Sequence, residues 1–152
     1  MKVFLLFHLF LGLLVSPSIA QSSKGKDHPG GPQTSLSEEL ENGLKKHEGL
    51  VYTRYGDREM QLDLYRPKSG ADSSLPAIVC IHGGGWWQGT RQNHGNLAKA
   101  LAARGFVTAT ISYRLSGEAP FPAAIQDCKA AVRFLRANAE TYGINTEKIG
   151  AI

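Results

Sequence analysis

Five apolar residues at 77–81 (Ala-Ile-Val-Cys-Ile) run without a break into His82, three consecutive glycines (Gly83, Gly84 and Gly85) and two tryptophans, Trp86 and Trp87. A run that short and that uniformly apolar suits a strand covered on both faces, as in parallel sheets sandwiched between helices. Glycine loses more conformational freedom on folding than any other residue, so three of them at the end of a buried strand need a reason. In open α/β sheets, ligands bind in crevices outside the carboxyl ends of the strands. The glycines therefore stand where such a chain would do its chemistry.

The flanking pattern agrees. Residues 50–66 read as an antiparallel hairpin at a sheet edge: Val51, Thr53 and Tyr55 alternate with polar neighbours, Met60, Leu62 and Leu64 do the same, and Gly56-Asp57-Arg58 turns between them. After the glycines, residues 93–104 predict a helix with Leu97, Ala100 and Leu101 on its buried face and Gly105 as its stop. Residues 106–113 predict a strand rich in β-branched and aromatic side chains. Pro122 is placed to open a helix whose apolar stripe is Ile125, Cys128, Val132 and Leu135, and Gly143 ends it. Residues 148–152 begin another apolar strand. Strands alternating with helices after a hairpin predict an α/β fold: a sheet parallel beyond its antiparallel edge, in a three-layer αβα arrangement. Because the sequence stops inside a strand pattern, it reads as a truncated fold.

The amino terminus is different in kind. Met1-Lys2, an apolar stretch at 3–15, and small residues Ser18 and Ala20 are the three parts of a secretory signal peptide, with cleavage after Ala20. The stretch is shorter than the ~20 residues of a membrane span. Residues 1–20 are thus expected to be removed, giving a secreted or periplasmic protein with no membrane contact. Residues 21–47 are expected to form a disordered leader and a short helix, with Leu36, Leu40 and Leu44 on one side and Ser35 and Glu38 as a capping box. Residues 48–152 remain as the folded domain. The net charge of +4 is scattered rather than clustered, so no nucleic-acid partner is expected. The two cysteines, Cys80 and Cys128, fall in apolar patterns and read as buried free thiols. With no Cys-x-x-Cys or Cys/His cluster, no metal site is expected.

Three chemistries use glycine-rich loops at strand ends. Dinucleotide binding needs a third glycine where Gln88 stands, and a phosphate loop needs Lys-Ser/Thr where Thr90-Arg91 stands. The third is an oxyanion hole, in which main-chain N–H groups converge on the negative oxygen of a tetrahedral intermediate. Glycine permits both the backbone angles and the close substrate approach this requires.

The stretches "IHGGGWWQG", "ISYRLSGEAPFPAAIQDCKAAVRFLRANA" and "YGINTEKIGAI" together resemble the N-terminal half of an α/β-hydrolase of the esterase/lipase group. The similarity is closest to carboxylesterases carrying HGGGW, including the feruloyl-esterase-like and hormone-sensitive-lipase-like branches, and covers residues 50–152. The resemblance implies hydrolysis of small carboxylic esters through an acyl-enzyme, without metal or organic cofactor. It implies that Gly84 and Gly85 donate the oxyanion hydrogen bonds, that Gly83 shapes the turn, that His82 orients the loop and that Trp86 lines the pocket. Trp87 is then left as a packing residue, and Tyr113, Arg114, Leu115 and Asp127 as structural. The family's nucleophile elbow, G-x-S-x-G, occurs nowhere in residues 1–152, and its serine, acid and histidine are expected after Ile152. This chain alone is therefore expected to be inactive. A catalytically dead binding module and an amide or formamide hydrolase of the same fold are the alternatives. Oligomeric state is left open. Asp127 precedes the position of the serine and is expected to pair with Arg114 or nearby backbone; His94, at a helix start, is expected to be exposed.

Overall fold

The computed structural model describes residues 41–69 and 74–152. The expected signal peptide, the leader and two of the three leucines of the short helix lie outside the described residues. Leu44, the third, opens a strand and does not close a helix.

That strand, β1 (Leu44–Tyr55), turns at Gly56 and Asp57 into β2 (Arg58–Pro67), with Tyr55 opposite Arg58 in an antiparallel register. Gly56 has φ 59°, a left-handed angle that only glycine adopts freely. β3 (Leu75–Ile81) is the apolar run. A turn of 3-10 helix (Arg91–His94) leads into α1 (Gly95–Ala102). Then follow β4 (Val107–Ile111), α2 (Ala123–Ala137), the single turn α3 (Ala139–Tyr142) and β5 (Ile144–Ala151). The strands lie in the order β1-β2-β4-β3-β5. β4 runs antiparallel to β2 and parallel to β3, and β5 is parallel to β3 on its other side.

This order fixes where the helices go. The crossover from β3 to β4 moves one way along the sheet, and the crossover from β4 to β5 moves back past β3. Right-handed crossovers in opposite directions put their helices on opposite faces. The side chains agree. Ala98 and Ala102 of α1 pack with Cys80, Tyr65 and Ile78. Ala130, Ala131 and Leu135 of α2 pack with Ala77, Val79, Val107, Ala109 and Ile111 on the other face. Alternate residues of β3 thus serve two cores, which is why that strand reads as uninterrupted hydrophobe.

The packing departs from the sequence pattern in detail. α1 meets the sheet through its alanines, close enough for Thr108 Oγ1 to donate to the Ala98 carbonyl at 3.0 Å, and Leu97 is left 37% exposed. Pro122 sits one residue before α2, at its N-cap. β4 is shorter than the pattern suggested, and β5 starts four residues earlier. Gly143 ends α3 in the left-handed conformation (φ 62°, ψ 47°), as a C-terminal glycine should.

Candidate functional site

Because α1 and α2 lie on opposite faces, the segments leaving β3 and β4 diverge at the carboxyl ends of two adjacent parallel strands. A crevice opens between them, and this is where ligands sit in sheets of this kind. One wall is the glycine loop after β3. The other is the segment after β4.

The three glycines are not equivalent. Gly84 has φ 119°, and a Cβ there would lie 2.1 Å from the Gln88 carbonyl oxygen, so no side chain fits. Gly85 has φ 61°, and Trp86 follows with φ 71°, an angle rare for a bulky residue. The turn is closed by Trp87 and Gln88, whose N–H groups both donate to the Gly84 carbonyl, at 3.2 and 3.3 Å. Gly83 does not have a positive φ, and a Cβ there would meet nothing within 4 Å. The expected turn-shaping role therefore belongs to Gly84, Gly85 and Trp86, and not to Gly83. Gly89 is a fourth constrained glycine: at φ 113°, a Cβ would lie 2.3 Å from His82 Nδ1.

With the chain bent this way, the N–H groups of Gly83, Gly84 and Gly85 donate to no acceptor among the described residues. Gly83 and Gly84 line an open cavity of about 490 Å³ with Gln88, Gly89, Asn93 and His94. Trp86, on the far side of the turn, walls a second cavity of about 240 Å³ with Arg114, Ser116, Ala119, Phe121, Ala124 and Ile125. An array of free amides between a polar recess and an apolar one is suited to hold an anionic oxygen.

His82 is 3% exposed and lies inside the turn, not at the crevice. Its Nδ1 is 2.8 Å from the Gly83 carbonyl, so Nδ1 carries the proton and donates. Its Nε2 is buried with no partner among the described residues. The ring stacks on Tyr113, with centroids 4.2 Å apart and planes 12° apart. These contacts tie the ring to the turn. The far end of the loop is pinned by Arg91, whose Nε donates to Asp63 Oδ1 of β2 at 2.9 Å. Trp86 walls the smaller cavity. Trp87 does not pack; it is 66% exposed. His94 is half-buried and lines the larger cavity, with Nδ1 unpartnered among the described residues, so it is not the exposed residue expected.

Behind the crevice, Asp127 of α2 is fully buried. Its two oxygens accept from the Arg114 backbone N–H (2.8 Å), Arg114 Nε (3.0 Å) and Nη2 (2.8 Å), and the Tyr55 hydroxyl (2.6 Å). The guanidinium lies 3.4 Å over the Tyr55 ring. Burial alone pushes this carboxyl up; the hydrogen bonds from Arg114 and Tyr55 and the guanidinium charge outweigh it and hold the group below its ordinary value. The pairing expected for Asp127 is thus present, with Tyr55 as an unforeseen third member. Cys80 and Cys128 are free thiols serving opposite faces of the sheet, and burial pushes each up to about 11. Among the described residues no group of three or more metal-ligating side chains exists, and no helix is long and apolar enough to cross a membrane.

Comparison with known proteins gives a consistent picture. A family model described as BD-FAE matches residues 62–152. Esterase LipC of Mycobacterium tuberculosis is 34% identical over 106 residues, which are 66% of this chain and 26% of that protein. A putative alpha/beta hydrolase of Acanthamoeba polyphaga mimivirus is 31% identical over 94 residues, 61% of this chain and 27% of the other. Among solved structures, a bacterial heroin esterase superimposes with a TM-score of 0.65 at 32% identity, covering 72% of this chain and 35% of that one. The thermophilic esterase Est2 of Thermogutta terrifontis does so at 0.63 and 28%, covering 68% and 38%. The chain spans about a quarter of the length of the curated relatives it matches.

Proposed function

This chain belongs to the BD-FAE family and has the α/β-hydrolase fold of its esterase relatives, and on that footing we propose that it is the oxyanion-loop portion of a secreted serine esterase. The observation that carries the reading is the set of free amides at residues 83–85, in a turn that excludes any side chain at Gly84 and whose Gly83 and Gly84 line a cavity. An ester carbonyl seated there gains negative charge as a nucleophile attacks. Amides already fixed in place stabilise that charge without reorganising, and each donor is worth about 3 kcal/mol in the transition state. The serine, histidine and acid, and the further donor that follows the serine, would come from a segment after β5, whose end lies beside β3 at the same edge of the crevice. No metal or organic cofactor has a role. Secretion rests on the pattern of residues 1–20.

The second reading is a module that binds carboxylic compounds without hydrolysing them, since a fold does not fix a function. The transcript beyond the codon for Ile152 separates the two. A frame that continues into G-x-S-x-G, and whose product hydrolyses 4-nitrophenyl acetate until blocked by a phosphonate, supports the esterase. A frame whose elbow lacks serine supports the module. Faster hydrolysis of anilides or formamides than of esters would assign the same machinery to amides. The 152-residue chain itself is expected to turn over no nitrophenyl ester, and phosphonate-sensitive turnover by it would overturn the assignment of the nucleophile.

Propionate, which one structure of the Thermogutta esterase holds, is a direct probe of the amides. On titration, the Gly84 and Gly85 backbone resonances are expected to shift saturably. Gly83→Ala is the informative variant. Its methyl meets no protein atom within 4 Å, so folding stability should change by no more than ~0.5 kcal/mol. Propionate affinity should nonetheless fall about tenfold, because Gly83 lines the cavity. Unchanged affinity would mean that nothing binds at this amide array.

A further inference from the structure

We propose that Tyr113 is a positioning residue that sets the direction of the Gly84 and Gly85 amides by holding the carbonyl and the ring of His82, at the entry to the glycine loop. The inference rests on the oxyanion reading for its consequence, but not for its geometry.

Tyr113 is the second residue beyond β4 and is 3% exposed. Its hydroxyl donates to the His82 carbonyl at 2.8 Å, which fixes the peptide that leads into Gly83. Its ring stacks on the His82 imidazole, whose Nδ1 is bonded to the Gly83 carbonyl, so the next peptide is fixed through the side chain. The same ring lies 5.6 Å from that of Trp86, the strained residue at the other end of the turn. Three residues further on, the Ser116 N–H donates to the Trp86 carbonyl at 2.8 Å. One short segment therefore grips the loop at its entry and at its exit, leaving Gly84 and Gly85 suspended between two held carbonyls.

The segment is itself rigid. Arg114, next to Tyr113, is bound to Asp127 by backbone and guanidinium, and the Tyr52 hydroxyl donates to the Ser112 carbonyl at 2.6 Å. Such a template suits a loop whose amides at residues 83–85 donate no hydrogen bond among the described residues. Glycines give the bend, but they give it no preference for one orientation; that has to come from outside the loop.

Both tryptophans of the chain are Trp86 and Trp87, so its tryptophan fluorescence reports on this loop alone. In the 152-residue chain, Tyr113→Phe keeps the ring and removes the hydroxyl. We expect a shifted emission maximum, greater acrylamide quenching, and about tenfold faster hydrogen exchange at the Trp87, Gln88 and Ser116 amides, the factor that corresponds to one hydrogen bond of ordinary net strength. Thr108→Val is the control, since it loses a buried hydroxyl bond on the α1 face, away from the loop. If the two variants lose similar thermal stability yet only Tyr113→Phe alters the loop, the positioning role stands. Equal loop behaviour in the two variants overturns it. If Tyr113→Phe does not fold, the wild-type chain decides: a slowly exchanging Tyr113 hydroxyl proton with nuclear Overhauser contacts to the His82 ring supports the role, and a freely exchanging one refutes it. Wild-type protein that shows the loop response but binds no propionate would retain Tyr113 as positioning residue while removing the oxyanion reading.

Discussion

Gly84→Ala is expected to abolish propionate binding and to disorder the whole turn at residues 83–88. The added carbon would sit 2.1 Å from the Gln88 carbonyl oxygen and 2.9 Å from its carbon, both backbone atoms that have no rotamer to escape into. The φ of 119° is in addition closed to a side chain. Relief means turning the peptide, and turning it swings the amides of Gly84 and Gly85 away from the crevice. Strain of this type costs about 1–3 kcal/mol, so the urea midpoint should fall while unfolding stays cooperative, because the cores on both faces of the sheet are untouched. In an enzyme with its serine in place, the corresponding loss is about 10²–10³-fold in kcat. Retained propionate binding by Gly84→Ala would show that the converging amides are not those of this turn. Set beside Gly83→Ala, where stability is expected to survive and affinity to fall about tenfold, the pair separates shape from contact.

Asp127→Asn is expected to be among the most damaging single changes to stability. Four donor groups converge on the two carboxylate oxygens. An amide offers only one oxygen, so its NH2 must face donors, and Arg114, with only 14% of its side chain exposed, is left without its counter-charge. Breaking a buried pair in this way costs about 3–5 kcal/mol, roughly 10–15 °C in Tm for a domain of this size. The sign with pH follows from the depressed carboxyl. A folded-state value below the unfolded one means that the unfolded chain binds the proton more readily. Asp127 therefore contributes its full stability above the ordinary aspartate value of about 3.9, and that contribution drains as pH falls from there through its own lower value. Urea midpoints of wild type and Asp127→Asn should differ most near neutrality and converge in acid. A constant difference down to the lowest pH at which the protein folds would contradict the pairing.

What was legible in the sequence is what local pattern can carry. Alternation around Gly56 gave the hairpin, and the apolar run at 77–81 gave a strand buried on two sides. The order of elements gave a layered α/β sheet. The glycines at 83–85 stood out because their type, number and place at a strand end left few uses. What pattern could not carry was which neighbour each side chain would meet. Leu97 looked like the anchor of its helix, but α1 approaches through Ala98 and Ala102, because small residues let it lie close. Gly83, Gly84 and Gly85 are identical as letters, and only the path of the backbone shows that Gly84 is sterically obligatory and Gly83 is not. Arg91 and Asp63, which tie the loop to β2, are 28 residues apart and share no motif. Tyr113 was visible in the resemblance as a structural residue, yet its grip on His82 depends on β3 and β4 being neighbours, a fact of topology. Tyr55, on the hairpin, had no signal at all for meeting a carboxylate on α2.

The holds on the glycine loop also set an order of events at the ribosome. His82 is gripped by Tyr113, 31 residues later in the chain. At about 5–20 residues per second, roughly 2–6 s pass between synthesis of the loop and synthesis of the side chain that steadies it. During that interval the nascent loop has its own turn at Gly84 but lacks the side chain that steadies its entry, so the orientation of its amides is settled only after β4 has been made.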